Sequence, residues 1–214
     1  MSTVEKQINY DTSNSYSTLN KLTSKTKNVW FVFHGIGYLS RYFMKYFKDL
    51  DADENYIIAP QAPSKYYLNG EYKHVGASWL TKENNGKDLE NVLSYTQTVF
   101  ENEQVPANLN LIVLGYSQGV SIACRWVVKH QILCNKLVLF AGSIPHEIEK
   151  DDMAFLRTNK VKVYSIVGDK DEWLTENRLK MEKEKADLLF EDHISYTIFD
   201  GKHELKKELL QTII

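Results

Sequence analysis

The chain has 214 residues, of which 43% are hydrophobic and 25% are charged, and its formal net charge is −2. This composition is typical of globular domains and excludes a disordered or fibrous chain. The 26 basic and 28 acidic residues lack the basic excess of a dedicated nucleic-acid binder, so no nucleic-acid partner is expected. A chain of this length can bury an apolar core without disulfides or metals, and we expect a single domain over residues 1–214.

The cellular compartment is inferred from the first residues and from the two cysteines. No apolar run approaches the ~18–20 residues that a transmembrane helix needs, so no membrane span is expected. Residues 1–7 lack the basic and apolar start of a secretory signal. Cys124 and Cys134 both lie among apolar residues, which indicates buried free thiols rather than a disulfide. These features favour a cytoplasmic protein.

Apolar strands and amphipathic helices alternate along most of the chain. The polar residues 1–27 are expected to supply one or two edge strands. Further strands are predicted at 29–33, 56–59, 109–114, 136–140, 161–167 and 194–199. Helices are predicted, mostly from apolar residues at helical spacing, at 39–50, 89–100, 118–130, 175–190 and 205–213. Continuous apolar strands that alternate with helices predict an α/β fold with a mostly parallel, doubly wound sheet and helices on both faces.

Four of the predicted strands end in Gly-rich or reactive sequence. In chain order these ends are residues 34–37, 115–119, 168–171 and 200–203. In open α/β sheets the functional groups gather at the carboxyl ends of the strands. We therefore expect these four segments to form one site.

The second of these segments, Gly115-Tyr116-Ser117-Gln118-Gly119, has the Gly-x-Ser-x-Gly pattern of a nucleophile elbow. Such a turn is too tight for side chains at its flanking positions, and it presents the serine Oγ at a helix N-terminus, whose partial positive charge favours an anionic intermediate. With 10 Gly and 14 Ser in the chain, roughly 0.03 matches are expected by chance. Ser117 is therefore the candidate nucleophile. The alternative is a Gly-rich turn that only packs a helix against a strand.

A serine hydroxyl needs a base that is itself oriented by an acid. His203 is the candidate base because it closely follows the last predicted strand, and the order Ser, acid, His is the one that this architecture uses. Asp171 and Asp169 both follow the preceding strand and are the candidate acids, with Glu172 a weaker third. Asp171 is preferred, since an aspartate directly after a glycine is readily explained by turn formation.

Two backbone N–H groups are expected to stabilise the developing oxyanion. One belongs to Gln118, the residue after the nucleophile. The other is assigned to Ile36, because Gly35 and Gly37 on either side let the backbone approach a substrate closely. The sequence has no His-Glu-x-x-His motif and no cysteine pair at zinc spacing, so neither a metal nor an organic cofactor is expected.

Together these motifs resemble the α/β-hydrolase superfamily, and within it the phospholipase/carboxylesterase group that includes the acyl-protein thioesterases. The matching pieces, in order, are residues 33–37, 60–63, 79, 115–119, 168–171 and 201–204. The resemblance implies an α/β-hydrolase fold and an acid at the second aspartate of the family's Gly-x-x-Asp segment, here Asp171. The chain departs from the usual family residues at Val120, Val167 and Lys202. No catalytic group is lost, but the substrate preference of the family does not transfer.

The sequence therefore predicts a serine hydrolase that cleaves a small carboxylic acyl ester, or a thioester, through an acyl-enzyme. The alternatives are a serine peptidase on the same fold and a hydrolase-fold binding protein without catalysis. The aromatic segment 66–74 is either a packed surface loop or part of an acyl-binding wall formed by Tyr66, Tyr67, Trp79 and Trp173. Only residues 141–160 lie where hydrolases of this fold usually insert a lid. We therefore expect no lid domain and an open site.

Overall fold

The computed structural model of the protein describes residues 3–214. Its strands are β1 (Tyr16–Leu19), β2 (Asn28–Phe33), β3 (Asn55–Pro60), β4 (Ser64–Tyr67), β5 (Val75–Ser78), β6 (Asn110–Tyr116), β7 (Lys136–Phe140), β8 (Lys162–Gly168) and β9 (Ile194–Phe199). Seven of them form one sheet in the order β1-β3-β2-β6-β7-β8-β9, and only β1 runs antiparallel to its neighbour. The predicted mostly parallel sheet is confirmed.

Helices cover both faces of this sheet. They are α1 (Ser40–Phe43), α2 (Asn85–Asn102), α3 (Gln118–Lys129), α4 (Ala154–Thr158), α5 (Glu176–Phe190) and α6 (Lys207–Leu210). One apolar cluster joins the sheet to α2, α3, α4 and α5, and a second joins its other face to α1 and α6. The doubly wound arrangement is therefore as the alternation of strands and helices predicts.

Strand β2 shows why its sequence is continuously apolar. Successive side chains of a strand point to opposite faces of the sheet. Accordingly, Val29, Phe31 and Phe33 belong to the cluster that contains α3, whereas Trp30 and Val32 belong to the cluster on the α1 face. All five side chains are fully buried. A strand covered on both faces thus has no position at which a polar residue is favoured.

The prediction of one continuous helix over 39–50 is wrong. The α-helix stops at Phe43, and a 3₁₀ helix, Met44–Phe47, follows it. Leu39, Phe43, Phe47 and Leu50 of the predicted stripe are buried. Met44 is buried as well, three residues before Phe47, which fits the three residues per turn of a 3₁₀ helix. Tyr42, expected on that stripe, is 60% exposed, and the Arg41 guanidinium packs over its ring.

The last predicted helix, 205–213, is also shorter than expected. Only Lys207–Leu210 is α-helical, and the chain around it forms turns. Leu205 and Ile213, which lie outside the helix, are nevertheless buried against the sheet. Apolar spacing therefore identified buried positions here without identifying their backbone conformation.

The β4–β5 segment and residues 141–160 contain only short secondary-structure elements. Strands β4 and β5 form a separate two-stranded antiparallel sheet, so the aromatic segment 66–74 lies within a hairpin that the sequence did not predict. Residues 141–160 contain only a short 3₁₀ helix, Asp151–Met153, and the five-residue helix α4. The segment at which a lid was considered is thus occupied by short turns.

Both cysteines are free and buried, as the apolar sequence around them predicts. Burial raises the pKa of each thiol to about 12. Within residues 3–214, no helix combines the length and the apolar character needed to cross a membrane.

Candidate active site

The register of the sheet brings the four Gly-rich segments to one edge. Phe33 pairs with Gly115, and Gly168 pairs with Phe199, so β2, β6, β8 and β9 end at the same side. Parallel strands that end together place the following turns next to each other. The segments after these strands therefore lie side by side at this edge of the sheet.

Ser117 lies on a strained turn between β6 and α3. Its backbone angles are φ 53° and ψ −121°, a conformation that residues with side chains rarely adopt. A Cβ atom on Gly119 would lie 2.1 Å from the carbonyl oxygen of Phe33, and one on Gly115 would lie 2.4 Å from Cα of Val120. Both glycines are therefore required by close backbone contact, which is the steric condition of a nucleophile elbow.

A chain of hydrogen bonds connects Ser117, His203 and Asp171. The Ser117 Oγ lies 2.8 Å from His203 Nε2, and His203 Nδ1 lies 2.7 Å from Asp171 Oδ2. The other carboxylate oxygen of Asp171 accepts hydrogen bonds from the amides of Trp173, at 2.9 Å, and Leu174, at 3.2 Å. The Asp171 side chain is fully buried. This network fixes the imidazole so that Nε2 faces the serine hydroxyl.

The two candidate aspartates have different partners. Asp169 is exposed, and its Oδ1 accepts a hydrogen bond from the amide of Gly201 at 3.0 Å. It therefore joins the turn after β8 to the turn after β9, in keeping with the turn-forming alternative. Only Asp171 of the two is hydrogen-bonded to His203.

Tyr116 contacts His203 through both its hydroxyl and its ring. Its hydroxyl donates a hydrogen bond to the carbonyl oxygen of His203 at 3.0 Å, and the two rings lie 5.6 Å apart. Burial raises the pKa of the Tyr116 phenol, so it remains a neutral donor. The sequence does not predict this contact, because Tyr116 occupies a variable position of the elbow pattern. A hydroxyl-bearing residue at the end of a buried strand was the available signal, since buried phenols usually find a partner.

Two backbone N–H groups near Ser117 are available to a ligand. The Gln118 amide begins α3 and therefore has no acceptor within the helix. In the turn after β2, Gly37 N donates to Ala77 O at 2.8 Å and Tyr38 N donates to Gly35 O at 3.3 Å. The Ile36 amide makes no such backbone hydrogen bond within the described residues.

The Gln118 side chain holds the elbow against the end of β5. Its Oε1 accepts a hydrogen bond from the amide of Trp79 at 2.9 Å. Its Nε2 donates to the carbonyl of Leu80 at 2.8 Å and to the Ser78 hydroxyl at 3.0 Å. Sequence reasoning considered only the backbone of Gln118, and the contact could not be predicted because it joins segments about 40 residues apart.

His34 organises the turn that contains Ile36. Its Nδ1 donates to the carbonyl of Gly35 at 2.8 Å, and its Nε2 accepts from the amide of Ala62 at 3.2 Å. Burial lowers the pKa of His34 to about 4, so its imidazole is neutral at pH 7. His34 therefore shapes the loop through hydrogen bonds to the backbone on both sides of its ring.

A cavity of about 630 Å³ opens in front of Ser117. Of the four aromatic residues considered for a binding wall, only Trp173 lines it. Tyr66 and Tyr67 are partly exposed on the β4 hairpin, outside the cavity. Trp79 is 1% exposed and lies beneath the site, where its Nε1 donates to the carbonyl of His34 at 2.7 Å. An aromatic residue near the site in sequence is here part of the core, because its ring packs on Phe33.

Metal-binding clusters were also considered. Over the described range 3–214, no group of three or more His, Cys, Asp or Glu side chains could hold a metal ion.

Comparison with known proteins was made by sequence and by structure. Residues 14–214 match the family described as phospholipase/carboxylesterase. A search of curated proteins found no matching relative. Acyl-protein thioesterase 2 from Zea mays superposes with a TM-score of 0.70 at 12% identity, over 94% of this chain and 96% of that one. A phospholipase/carboxylesterase from Dyadobacter fermentans gives a TM-score of 0.68 at 20% identity, over 95% and 96%.

A third structure, esterase PE8, superposes with a TM-score of 0.63 at 20% identity, over 94% of this chain and 96% of that one. At such low identities, the structural similarity demonstrates the fold, and the family match extends over nearly the whole sequence. The chain is thus a hydrolase with the α/β-hydrolase fold, and it belongs to the phospholipase/carboxylesterase family.

Proposed function

We propose that this protein is a serine hydrolase that cleaves small carboxylic esters, with Ser117 as nucleophile, His203 as general base and Asp171 as the orienting acid. The observation that carries the proposal is the unbroken hydrogen-bond chain from the Ser117 Oγ through His203 to the buried Asp171 carboxylate. A serine hydroxyl with such a base in reach can be activated at neutral pH. The strained elbow supports the same assignment, since strain of this kind is retained at functional sites.

The first half of the reaction acylates the serine. The Ser117 Oγ forms a bond to the acyl carbon while its proton passes to His203 Nε2. Asp171 stabilises the imidazolium that forms. When the tetrahedral intermediate collapses, the bond from the acyl carbon to the leaving oxygen or sulfur breaks, and His203 returns the proton to that atom. An alcohol or thiol departs, and the acyl group remains on Ser117.

The second half releases the acid. A water molecule gives its proton to His203 as its oxygen forms a bond to the acyl carbon. The bond to the Ser117 Oγ then breaks, and the serine recovers its proton from the imidazole. The net change is addition of water across the ester or thioester bond.

Both tetrahedral intermediates carry a negatively charged oxygen. The free amides of Gln118 and Ile36 are proposed to donate hydrogen bonds to it, and the N-terminus of α3 adds favourable electrostatic potential. The Gln118 side chain and the neutral His34 hold these two amides in place through the contacts described above. Removing one such donor typically costs ~10²–10³ in rate.

The structure around the site bears on substrate and location. We propose a single domain without a lid, because residues 141–160 form only short elements. Such an open site suits small acyl substrates, either esters or thioesters. The two buried free thiols favour the cytoplasm as the compartment.

The direct test is hydrolysis of p-nitrophenyl acetate, butyrate and octanoate, together with the matching acyl thioesters, by the wild type and by Ser117→Ala. Ser117→Ala is expected to lower kcat by about 10⁶ for every substrate that the wild type cleaves. Ser121→Ala is the matched control, because the Ser121 hydroxyl lines the same cavity but donates to the carbonyl of Gln118. Turnover that persists in Ser117→Ala would refute the mechanism.

A further inference from the structure

One permanently charged side chain lines the cavity in front of Ser117. Among the residues of its wall, Arg178 is the only Lys, Arg, Asp or Glu, and the remaining wall is built mainly from neutral and apolar groups. The phenols of Tyr38 and Tyr116 also line it, and burial raises the pKa of both, so they carry no charge at pH 7. The cavity lining thus has one fixed positive charge and no carboxylate, and the Asp171 carboxylate lies behind His203.

The Arg178 guanidinium is held by neutral partners. Its Nη2 donates to the Ser143 hydroxyl at 2.8 Å, and its Nη1 donates to the carbonyl of Trp173 at 3.1 Å. Ser143 and Trp173 both lie on the cavity wall. The two bonds orient the guanidinium and leave other N–H groups unused, because an arginine has five donors.

The positive charge of Arg178 is not neutralised by the protein. Arg125 and Arg157 each pair with a carboxylate, that of Glu147 at 2.6 Å and that of Glu191 at 3.8 Å. Arg178 forms no ion pair in the described part of the chain. Glu182, one helical turn further along α5, instead accepts a hydrogen bond from the amide of Ile144 at 3.1 Å.

Arg178 is also close to the reacting group. A Cβ on Gly142 would lie 2.4 Å from the carbonyl oxygen of Ser117, and the next residue is Ser143, to which the guanidinium is bonded. The residue that meets the Ser117 backbone is therefore directly adjacent in sequence to the residue that anchors the arginine. Because Ser117 and Arg178 also line the same cavity, one ligand bound there can contact both side chains.

We propose that the acyl part of the substrate carries a second carboxylate, which Arg178 binds. The substrate class is a monoester, or monothioester, of a short dicarboxylic acid, and this assignment rests on the ester hydrolysis proposed above. A guanidinium with free N–H groups matches the geometry of a carboxylate, and the exposed Arg178 side chain at the cavity wall is accessible to one. The reaction itself is unchanged: water adds across the ester bond and releases an alcohol or thiol and the dicarboxylate.

Two esters of equal chain length test this assignment: p-nitrophenyl hydrogen glutarate, which is anionic, and p-nitrophenyl valerate, which is neutral. For each enzyme the ratio of kcat/KM for glutarate to kcat/KM for valerate is measured. Arg178→Gln is expected to lower this ratio roughly 10- to 100-fold, the usual effect of one hydrogen-bonded charge pair. Arg178→Lys is expected to restore part of it, because it keeps the charge but not the planar donor pair.

Arg41→Gln is the control variant, since it removes the same charge from an exposed arginine outside the cavity. Its ratio should equal that of the wild type. An unchanged ratio in Arg178→Gln, or an equal fall in Arg41→Gln, overturns the role of Arg178 and leaves ester hydrolysis intact.

A binding measurement separates this inference from the proposed function. If the wild type cleaves neither ester, the proposed function fails, and the anion site is tested by calorimetric titration with free glutarate. Glutarate is expected to bind the wild type and to bind Arg178→Gln at least roughly 10-fold more weakly. Equal affinity for both proteins, or no binding to the wild type, overturns the site. A thermal unfolding curve, monitored by circular dichroism, checks that Arg178→Gln is folded.

Discussion

His34 and His203 occupy equivalent places in the fold and have opposite surroundings. Each follows the carboxyl end of a strand, β2 for His34 and β9 for His203, and each uses both ring nitrogens for hydrogen bonds. The His34 ring is fully buried, and its partners are two backbone groups and the neutral side-chain amide of Gln61. The His203 side chain is 18% exposed and bonds to a hydroxyl and a carboxylate.

The difference shows what makes a histidine available for proton transfer. Burial lowers the pKa of His34 to about 4, and both of its nitrogens are occupied by groups that cannot exchange a proton at pH 7. His203 has a carboxylate on one nitrogen to stabilise an imidazolium, and a hydroxyl on the other that can give up its proton. Position at a strand end is thus shared, and the partners determine whether the ring supports the fold or the reaction.

The largest expected effect is a loss of activity on substitution of His203, which substitution of His34 should not match. His203→Gln is expected to lower kcat by about 10⁶, because the base of a triad is lost, with little change in the thermal unfolding midpoint. His34→Asn is expected to lower the midpoint instead, because a buried acceptor of the Ala62 amide is removed. Ester turnover and thermal unfolding of both variants check this comparison, and a His203→Gln enzyme with near wild-type kcat would contradict it.

The acid partner of His203 gives the next largest effect. Asp171→Asn is expected to lower kcat by about 10⁴, because the amide no longer stabilises the required tautomer and the imidazolium. Asp169→Asn is the matched control, since Asp169 contacts only the Gly201 amide and not the imidazole. Steady-state kinetics distinguish the two residues, and a larger loss in Asp169→Asn would reassign the acid.

His34 is expected to make stability depend on pH. Its folded pKa of about 4 lies below its ordinary value of 6.5, so the unfolded chain binds the proton more tightly. The contribution to the free energy of unfolding is complete above pH 6.5 and is lost as the pH falls toward 4, by about 3 kcal/mol in total. Urea unfolding of the wild type and His34→Asn between these limits measures it.

The control for this pH dependence is His74→Asn, because His74 is exposed in the loop between β4 and β5. His74→Asn should keep the wild-type slope of stability against pH, whereas His34→Asn should lose part of it. Parallel slopes for the wild type and His34→Asn would show that His34 is not the group responsible.

The smallest expected effect concerns the support of His203. Tyr116→Phe removes the hydrogen bond to the His203 carbonyl, which is worth about 1 kcal/mol, so kcat/KM is expected to fall about five-fold. Tyr46→Phe is the control, because its hydroxyl bonds only to that of Tyr38, at 3.1 Å. Both variants lose one phenol hydrogen bond, but only Tyr116→Phe should slow ester hydrolysis. Equal rates in the two variants would remove the positioning role of Tyr116.

The parts of the site that follow from local sequence are predictable. The Gly-x-Ser-x-Gly turn was identified because its glycines follow from local backbone contact, and His203 was identified because the strand before it has a clear apolar pattern. Asp171 was preferred over Asp169 only weakly from the residues, because both follow the same strand and the decision depends on which carboxylate reaches a ring 32 residues away.

Features that depend on long-range packing were not predictable. Trp79 is predicted to line the cavity but is buried beneath it. The residue type indicates an aromatic side chain near the site but not whether that side chain is buried or exposed. The contact from Tyr116 to His203 spans 87 residues, and no local pattern encodes it. Arg178 lies in a helix with many charged residues, and nothing in its local sequence distinguishes it from them. Its place in the cavity lining depends on how that helix packs in the fold.

The most direct test of the account is the site of covalent labelling by a fluorophosphonate. The wild type should gain the mass of one phosphonyl group, and peptide mapping by mass spectrometry should locate that group on Ser117. Ser117→Ala should gain no mass, and His203→Gln should label far more slowly, because the serine is no longer activated. Labelling of another residue, or of Ser117→Ala to the same extent as the wild type, would contradict Ser117 as the nucleophile.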